Sequence, residues 1–384
     1  MPLVLTIAWR NIFRHRGKTL IIGGILFFGT LIMTLGNGVI AGMDRALRVN
    51  IVDSFTGHLV LISNEQKVDS VLMSGSTQTA ETFRNFDKIK QALHQVPYIK
   101  SFLPGGIGYV WVLNDLGHPM DTYLLGVDFV RYNHFFSNSI TAQEGRLLKD
   151  GERGTLLPIK IREMLYDFST VWFYPKDSFL DRTKFTAQAL AEGNRLLTRQ
   201  QIVFMGLSRK NSSLDIRSDV RGIVRFRSLN SVLGMYAITD MESFRECMGF
   251  RTDQQKQAEP SPVQKTILSL DDKSLDSLFS VDGIAALTEK ANSVIPVAPR
   301  APSVSSHASQ GVYNLVYLKL RPGTDLKKAK SELNKLFLSK GLGARAVTWS
   351  EAIGMLGQMS AIMKGALFLL VSMIFFVAII IIMN

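Results

Sequence analysis

Leu20 to Ile40 reads LIIGGILFFGTLIMTLGNGVI, 21 residues without a charge. As a helix rising about 1.5 Å per residue it would span roughly 31 Å, the thickness of a bilayer's hydrocarbon core. Twelve of its residues are Leu, Ile, Phe or Val. At about −0.3 to −0.6 kcal/mol each, their insertion energy outweighs the glycines and Asn37. The same reading applies to Gly365 to Met383, GALFLLVSMIFFVAIIIIM, where thirteen of 19 residues are of those four types. Lys364 stands at its start, able to reach the headgroups with its long side chain. The 384-residue chain is therefore expected to be anchored by a helix at each end, with about 300 residues strung between them.

A cleaved leader is the rival for the first block. Its apolar run exceeds the usual length of about 7 to 15 residues, and VIAGM (Val39 to Met43) makes a poor cleavage site. The flanks set the orientation. Arg10, Arg14, Arg16 and Lys18 precede the first span, against a mixed Asp44, Arg45 and Arg48 after it, which places the N-terminus in the cytoplasm.

Residues 3 to 16, LVLTIAWRNIFRHR, carry a helical period of their own. Leu5, Ala8, Trp9, Ile12 and Phe13 fall on one face, opposite Arg10, Asn11 and Arg14; Ile7 and Arg16 break the pattern. A helix lying in the cytoplasmic headgroup layer is expected, with Trp9, Arg10, Asn11, Arg14, Arg16 and Lys18 available to membrane surface or a cytosolic partner. Gly17 permits the turn into the span. The expected organisation is 1–19 amphipathic helix, 20–43 first span, 44–358 extracytoplasmic domain and 359–384 second span.

Within the domain, periodicity predicts helical continuation over 41–52 and strands at Thr56–Ser63, Ile107–Asn114, Thr122–Asp128, Gln201–Leu207, Ser218–Phe226 and Val312–Leu320. Helices are predicted at Phe86–Val96, Met241–Phe250 and Leu326–Leu338, and a continuous helix from Ala346 into the second span. From 251 to 310 Pro, Ser, Gln, Ala and Lys accumulate, reading as an inserted or disordered linker, with a helix over Leu275–Lys290 an option within it. The expected fold is a pair of α-helical membrane anchors with a large α+β extracytoplasmic domain.

Net charge is +12, of which four positives sit before residue 20; the rest is too dilute for nucleic acid. With Cys247 the only cysteine, neither a disulfide within the chain nor a cysteine-based zinc site is available. Gly17-Lys18-Thr19 resembles the end of a phosphate loop, but Ile12 stands where its first glycine would be. Gly106-x-Gly108 lacks the third glycine of a dinucleotide fingerprint, since Trp111 occupies that place. His15, His58, His94, His118, His134 and His307 show no metal-binding spacing, and no nucleophile elbow occurs. No catalysis, cofactor or metal is expected of this chain.

The order of these pieces is specific. AWRNIFRHRGKTL before the first span, GHLVLI after it, LLGVD, EGRLL at Glu144–Leu148, and TWSEAIGMLGQMSAIMKGALFLLVSMIFFVAIIIIMN with Trp349 and Asn384 resemble the FtsX/MacB-like ABC transporter permeases. Within them, the resemblance is to the lipoprotein-releasing permeases LolC/LolE, N-terminal half, through the second transmembrane helix. It implies a MacB-like periplasmic core domain in the bacterial inner membrane. It also implies a separate cytosolic ABC ATPase that uses the ATP, and a lipoprotein cargo handed to a periplasmic carrier. The family has four spans, so a second permease subunit or the missing C-terminal half is implied as well. TLLPIKIREML after Gly154 departs from the glycine-centred family pattern, and parts of 158–211 look inserted.

An acylated cargo needs an apolar lateral path, for which Met33, Gly36, Asn37, Gly38, Met359, Met363 and Phe368 are the candidates; ordinary lipid or helix packing would use the same residues. Two other readings stay open. One is a same-family exporter or force-transmitting subunit for another substrate or a cell-wall enzyme. The other is a two-span extracytoplasmic sensor or scaffold.

Overall fold

A computed structural model describes residues 14, 16–73, 79–113, 119–207, 213–250 and 312–383. The expected surface helix before Arg14, the linker from 251 to 310 and its optional helix lie outside the described residues.

The first helix, α1 (Arg16–Ile51), runs well past the uncharged block and ends in one π-helical turn, Val52–Thr56. Gly57 stops it in the left-handed region at φ 69°, where a Cβ would meet the Leu318 carbonyl oxygen at 2.6 Å. The chain then enters β1 (Leu59–Ser63), α2 (Phe86–His94) and β2 (Ile99–Leu113), and returns through β3 (Met120–Gly126) to α3 (Phe129–Phe135). Next come β4 (Ile140–Gly145), β5 (Thr155–Pro158), α4 (Ile159–Ser169), β6 (Val171–Phe173), α5 (Ala187–Glu192) and β7 (Leu197–Arg199). A hairpin of β8 (Gln201–Leu207) and β9 (Ser213–Phe226) leads to α6 (Asn230–Leu233), β10 (Tyr236–Thr239) and α7 (Met241–Met248). The final section is β11 (Leu315–Leu320), α8 (Leu326–Ser339), β12 (Ala344–Thr348), α9 (Trp349–Ala352) and α10 (Met355–Met383).

One large mixed sheet organises the domain, in the order β12-β1-β11-β2-β3-β10-β5-β9-β4, with β8 bridging β2 and β9. That bridge closes β2, β3, β10, β5, β9 and β8 into a ring. β2 serves both halves: residues up to Gly105 pair with β11, and Gly106 onward pair with β3 and β8. Pro104-Gly105-Gly106 marks the change, where a strand can bend with least resistance.

Alternation along the strands buries both faces of this sheet. On β11, Val316, Leu318 and Leu320 enter one core while Leu315 and Tyr317 enter the other; on β1, Leu59 and Leu61 oppose Val60 and Ile62 in the same way. Helices α2, α4, α7 and α8 cover the first core through Ile89, Ile161, Phe244 and Leu333. The π-turn, α3 and α9 cover the second through Phe55, Tyr132 and Trp349. Helix α7 packs close on the sheet: its Phe244 ring would lie 2.1 Å from a Cβ on Gly106. Gly106 is thus a packing glycine.

A smaller unit, β6 paired in parallel with β7, packs Trp172 against Tyr166 and Ala189. It falls within the stretch read from sequence as inserted.

The expected continuous helix from Ala346 is corrected. Ala344–Thr348 is a strand, α9 is a single turn, and Gly354 at φ 59° separates it from α10. Thr348 takes an extended backbone, accepts the Glu351 amide and forms a capping box with Glu351, so the helix starts after it.

Candidate functional site: the helix pair and its junction with the sheet

The stretches Thr19–Thr56 and Met355–Val377 are long and apolar enough to cross a membrane. In the fold, α1 and α10 lie antiparallel against each other. A Cβ on Gly36 would meet the Leu367 side chain at 2.7 Å, and one on Gly29 would meet Ile374 and Phe375 at 3.6 Å. Seven residues on one helix therefore answer seven on the other, the spacing of a continuous packing seam. Ile40 and Val371 are buried along it. Small residues at such a seam let two helix backbones approach closely.

This register has a consequence for the uncharged blocks. With Gly36 level with Leu367, Val39 stands level with Lys364 and Leu20 level with Met383. The two apolar runs start and stop together, forming one slab about 28–31 Å deep. Leu20, Phe27, Phe28, Phe368, Leu369 and Phe376 face outward from it.

Of the expected path residues, Gly36 lies in the seam and Met363 is half-buried beside it; Met33, Asn37, Gly38, Met359 and Phe368 are exposed. The seven do not converge on one cavity. Arg14 and Arg16 are exposed at the start of α1, and Lys18 lies in its first turn. Trp9, Arg10 and Asn11 lie outside the described residues.

Both helices meet the domain at one end of the sheet, because Leu59 of β1 pairs with Thr348 of β12. The π-turn plugs into the second core: Ile51, Val52 and Phe55 are buried, and the Phe55 ring lies 4.9 Å from that of Tyr236. Tyr236 in turn stacks on Tyr123 and donates its hydroxyl to the Leu72 carbonyl. Across the junction, the His58 amide donates to Leu318, the Trp349 amide donates to the His58 carbonyl, and the His58 Nδ1 accepts from the Leu320 amide. Burial foremost, with Arg48, Lys319 and Lys100 adding and Asp53 opposing, holds the His58 imidazole below its usual range. Lys319 is half-buried, lowered by that burial, and donates to the Phe135 carbonyl while lying over the Phe135 and Phe136 rings.

The domain also has a cavity of about 280 Å³, lined by Asp128, Glu152, Asp240, Glu242 and Arg245 among others. Several of its charges are paired: Arg245 with Glu242 at 2.8 Å, Arg131 with Asp128 at 3.1 Å, and Glu152 with Arg146 from outside the lining at 2.6 Å. Among the described residues no group of three His, Cys, Asp or Glu side chains could hold a metal ion. Cys247 is fully buried, and that burial pushes its thiol up to about 12, far from a thiolate at neutral pH.

Sequence reasoning passed over Phe55, His58, Lys319 and Tyr236. The signal for His58 was present in the GHLVLI stretch, since a histidine directly before a buried strand has backbone and ring to place. Phe55 and Tyr236 carried none, because their meeting joins segments about 180 positions apart.

No family model matches the chain, and no curated protein matches it. Among solved structures it is similar to the periplasmic region of MacB from Actinobacillus actinomycetemcomitans. The identity is 9% and the TM-score 0.34, over 78% of this chain and 92% of that one. It is also similar to the extracellular domain of the noncanonic ABC-type transporter YknZ from Gram-positive bacteria. There the identity is 11% and the TM-score 0.33, over 76% of this chain and 99% of that one. Likeness at this level decides neither family nor activity.

Proposed function

We propose that this chain is the membrane-spanning permease subunit of an ABC transporter, with its α/β domain outside the bacterial inner membrane and its ATP hydrolysed by a separate cytosolic subunit. The observation that carries the reading is the helix pair. Two apolar helices run antiparallel with their uncharged blocks level, and both enter the same end of one sheet. The order of sequence pieces resembling the FtsX/MacB-like permeases, from the arginines before α1 to the end of α10, supports the transporter assignment.

Within that class, release of lipoproteins from the inner membrane toward a periplasmic carrier is the cargo reading. It follows the resemblance to the lipoprotein-releasing permeases and the outward apolar and small surface of the helix pair at Met33, Gly38, Met359 and Phe368. Depletion in the native bacterium tests it: lipoproteins strand in the inner membrane. Correct sorting, together with a co-purified ATPase, would leave the transporter and remove that cargo. Purification of the chain with no ATPase would favour the sensor or scaffold.

A second reading has one structural support. The π-turn is seated in the domain core through Phe55, so a displacement of α1 would reach the sheet directly. Force transmission to an extracytoplasmic partner would use that seat.

A further inference from the structure

The end of the sheet that receives both helices is also rich in cations. Leu320 of β11 pairs with Ile99 of β2, and Leu318 pairs with Leu59, so the β11–α8 turn and the start of β2 share the end where α1 arrives. Tyr98 is tied to the turn by its carbonyl, which accepts the Arg321 amide at 2.9 Å. Six cations gather on this end: Arg48 at the close of α1, Lys100 and Lys319 on the strands, and Arg321, Lys327 and Lys328 on the turn and the first turn of α8. All but Lys319 are exposed.

Four acids stand nearby, among them Glu332 on α8, which is hydrogen-bonded to the Tyr98 hydroxyl. Asp325 accepts the Lys327 and Lys328 amides as the cap of α8. Glu351 is held by Lys330 at 2.7 Å. Asp53 is the remaining carboxylate that acts on Lys319. Among the described residues no ion pair joins Arg48, Lys100, Arg321, Lys327 or Lys328 to a carboxylate.

Height above the membrane follows from the helix register. Arg48 stands nine residues, roughly 13 Å, beyond the Val39–Lys364 level that closes the apolar slab. Headgroups occupy about 5–8 Å of that distance. Arg48 is thus within about one Debye length of the phosphate layer at physiological salt, and Lys100 and Lys319 lie near enough to it to act with it on the same His58 ring.

We infer that this basic end of the domain, centred on Lys100, Arg321, Lys327 and Lys328, docks on anionic phospholipid headgroups of the outer leaflet and sets the domain's height and tilt over the bilayer. The inference rests on the membrane reading above and adds to it a specific surface and a lipid class. The occupant is a lipid surface because α1 and α10 hold this end against one, and charge complementarity selects its anionic members.

The test uses the full chain in nanodiscs of phosphatidylcholine, with and without about 30% phosphatidylglycerol. Amide exchange is followed in peptides covering 97–102 and 319–330. Exchange in the 321–325 turn should slow about threefold in the anionic discs, and the difference should vanish in 0.5 M salt, which shortens the screening length to a few ångströms. The variant Lys100→Gln/Arg321→Gln/Lys327→Gln/Lys328→Gln should lose the difference while its Cys247 stays protected from thiol reagents. Equal exchange in both disc types, by a chain that has entered them, overturns the inference and leaves the membrane reading standing. The same holds if inorganic phosphate at matched ionic strength slows exchange as much in phosphatidylcholine discs. A chain that stays out of the discs refutes the membrane reading and this inference with it.

Discussion

Replacing Phe55 by alanine should cut the strongest tie between the first helix and the external domain. The ring is fully buried in the second core and lies 4.9 Å from Tyr236. Burying a phenyl group contributes about 1.5–3 kcal/mol by transfer, and the cavity left by truncation raises the usual loss to about 3–5 kcal/mol. The pair with Tyr236 accounts for about 0.5–1.5 kcal/mol of that. For a domain of this size, each kcal/mol moves the melting temperature by about 2–4 °C, so a fall of about 6–20 °C is expected. The only cysteine offers the assay: Cys247 is buried, and a thiol-specific fluorogenic maleimide in detergent reads its exposure on heating. A cycle with Tyr236→Ala should return a coupling of about 1 kcal/mol between the two rings. A fall under about 3 °C would refute the seating of the π-turn in the core. Additivity of the two substitutions would refute the ring contact.

The helix register can be read by chemistry: with Cys247→Ala as background, Gly36→Cys and Leu367→Cys should form a disulfide under mild oxidation, whereas Gly36→Cys with Phe368→Cys should not. The ion pair between Arg162 and Glu144, 2.6 Å long with the guanidinium 3% exposed and 4.3 Å over Trp172, should cost about 3–5 kcal/mol when Arg162→Ala strands the carboxylate. Arg162→Met with Glu144→Leu should cost less than that single change, measured by the same melting assay. The Arg146 guanidinium foremost holds Glu152 down to about 2. A depressed carboxylate stabilises the fold above its unfolded value and loses that effect as pH falls, so the wild type should lose about 1 kcal/mol between pH 4.5 and 2 that Glu152→Gln does not.

Much of the domain's local structure was legible because burial on both faces leaves a strong pattern. Gln201–Leu207 was read to the residue, Leu326–Leu338 to within one, and the helical continuation past Ile40 ended where the π-turn begins. The misses share causes. Ile140–Gly145 was missed because an edge strand with Thr141 and Gln143 facing solvent, and a charged Glu144 turned inward to Arg162, lacks an apolar run. Thr155–Pro158 is four residues long, too short for any period to show. The Ala344–Thr348 strand was absorbed into a helix because Ala and Trp suit either state; its pairing with Leu59–Ser63, nearly 300 positions earlier, decides the matter. Of the candidate site, composition could show which residues make the helices apolar. It could not show that Gly36 faces Leu367 while Gly38 faces outward, which depends on rotation about the helix axis. The basic end of the sheet was equally out of reach, since Arg48, Lys100 and Arg321 are gathered only by strand pairing.

The most direct measurement is vectorial labelling of single cysteines in a Cys247→Ala background, in intact spheroplasts, with a membrane-impermeant maleimide. Phe179, fully exposed between β6 and α5, supplies the outer site, and Arg16 at the start of α1 the inner one. Phe179→Cys should label in closed spheroplasts, and Arg16→Cys only after they are permeabilised. Labelling of both sites from outside, or of neither until lysis, would contradict a domain held outside the inner membrane by two crossing helices.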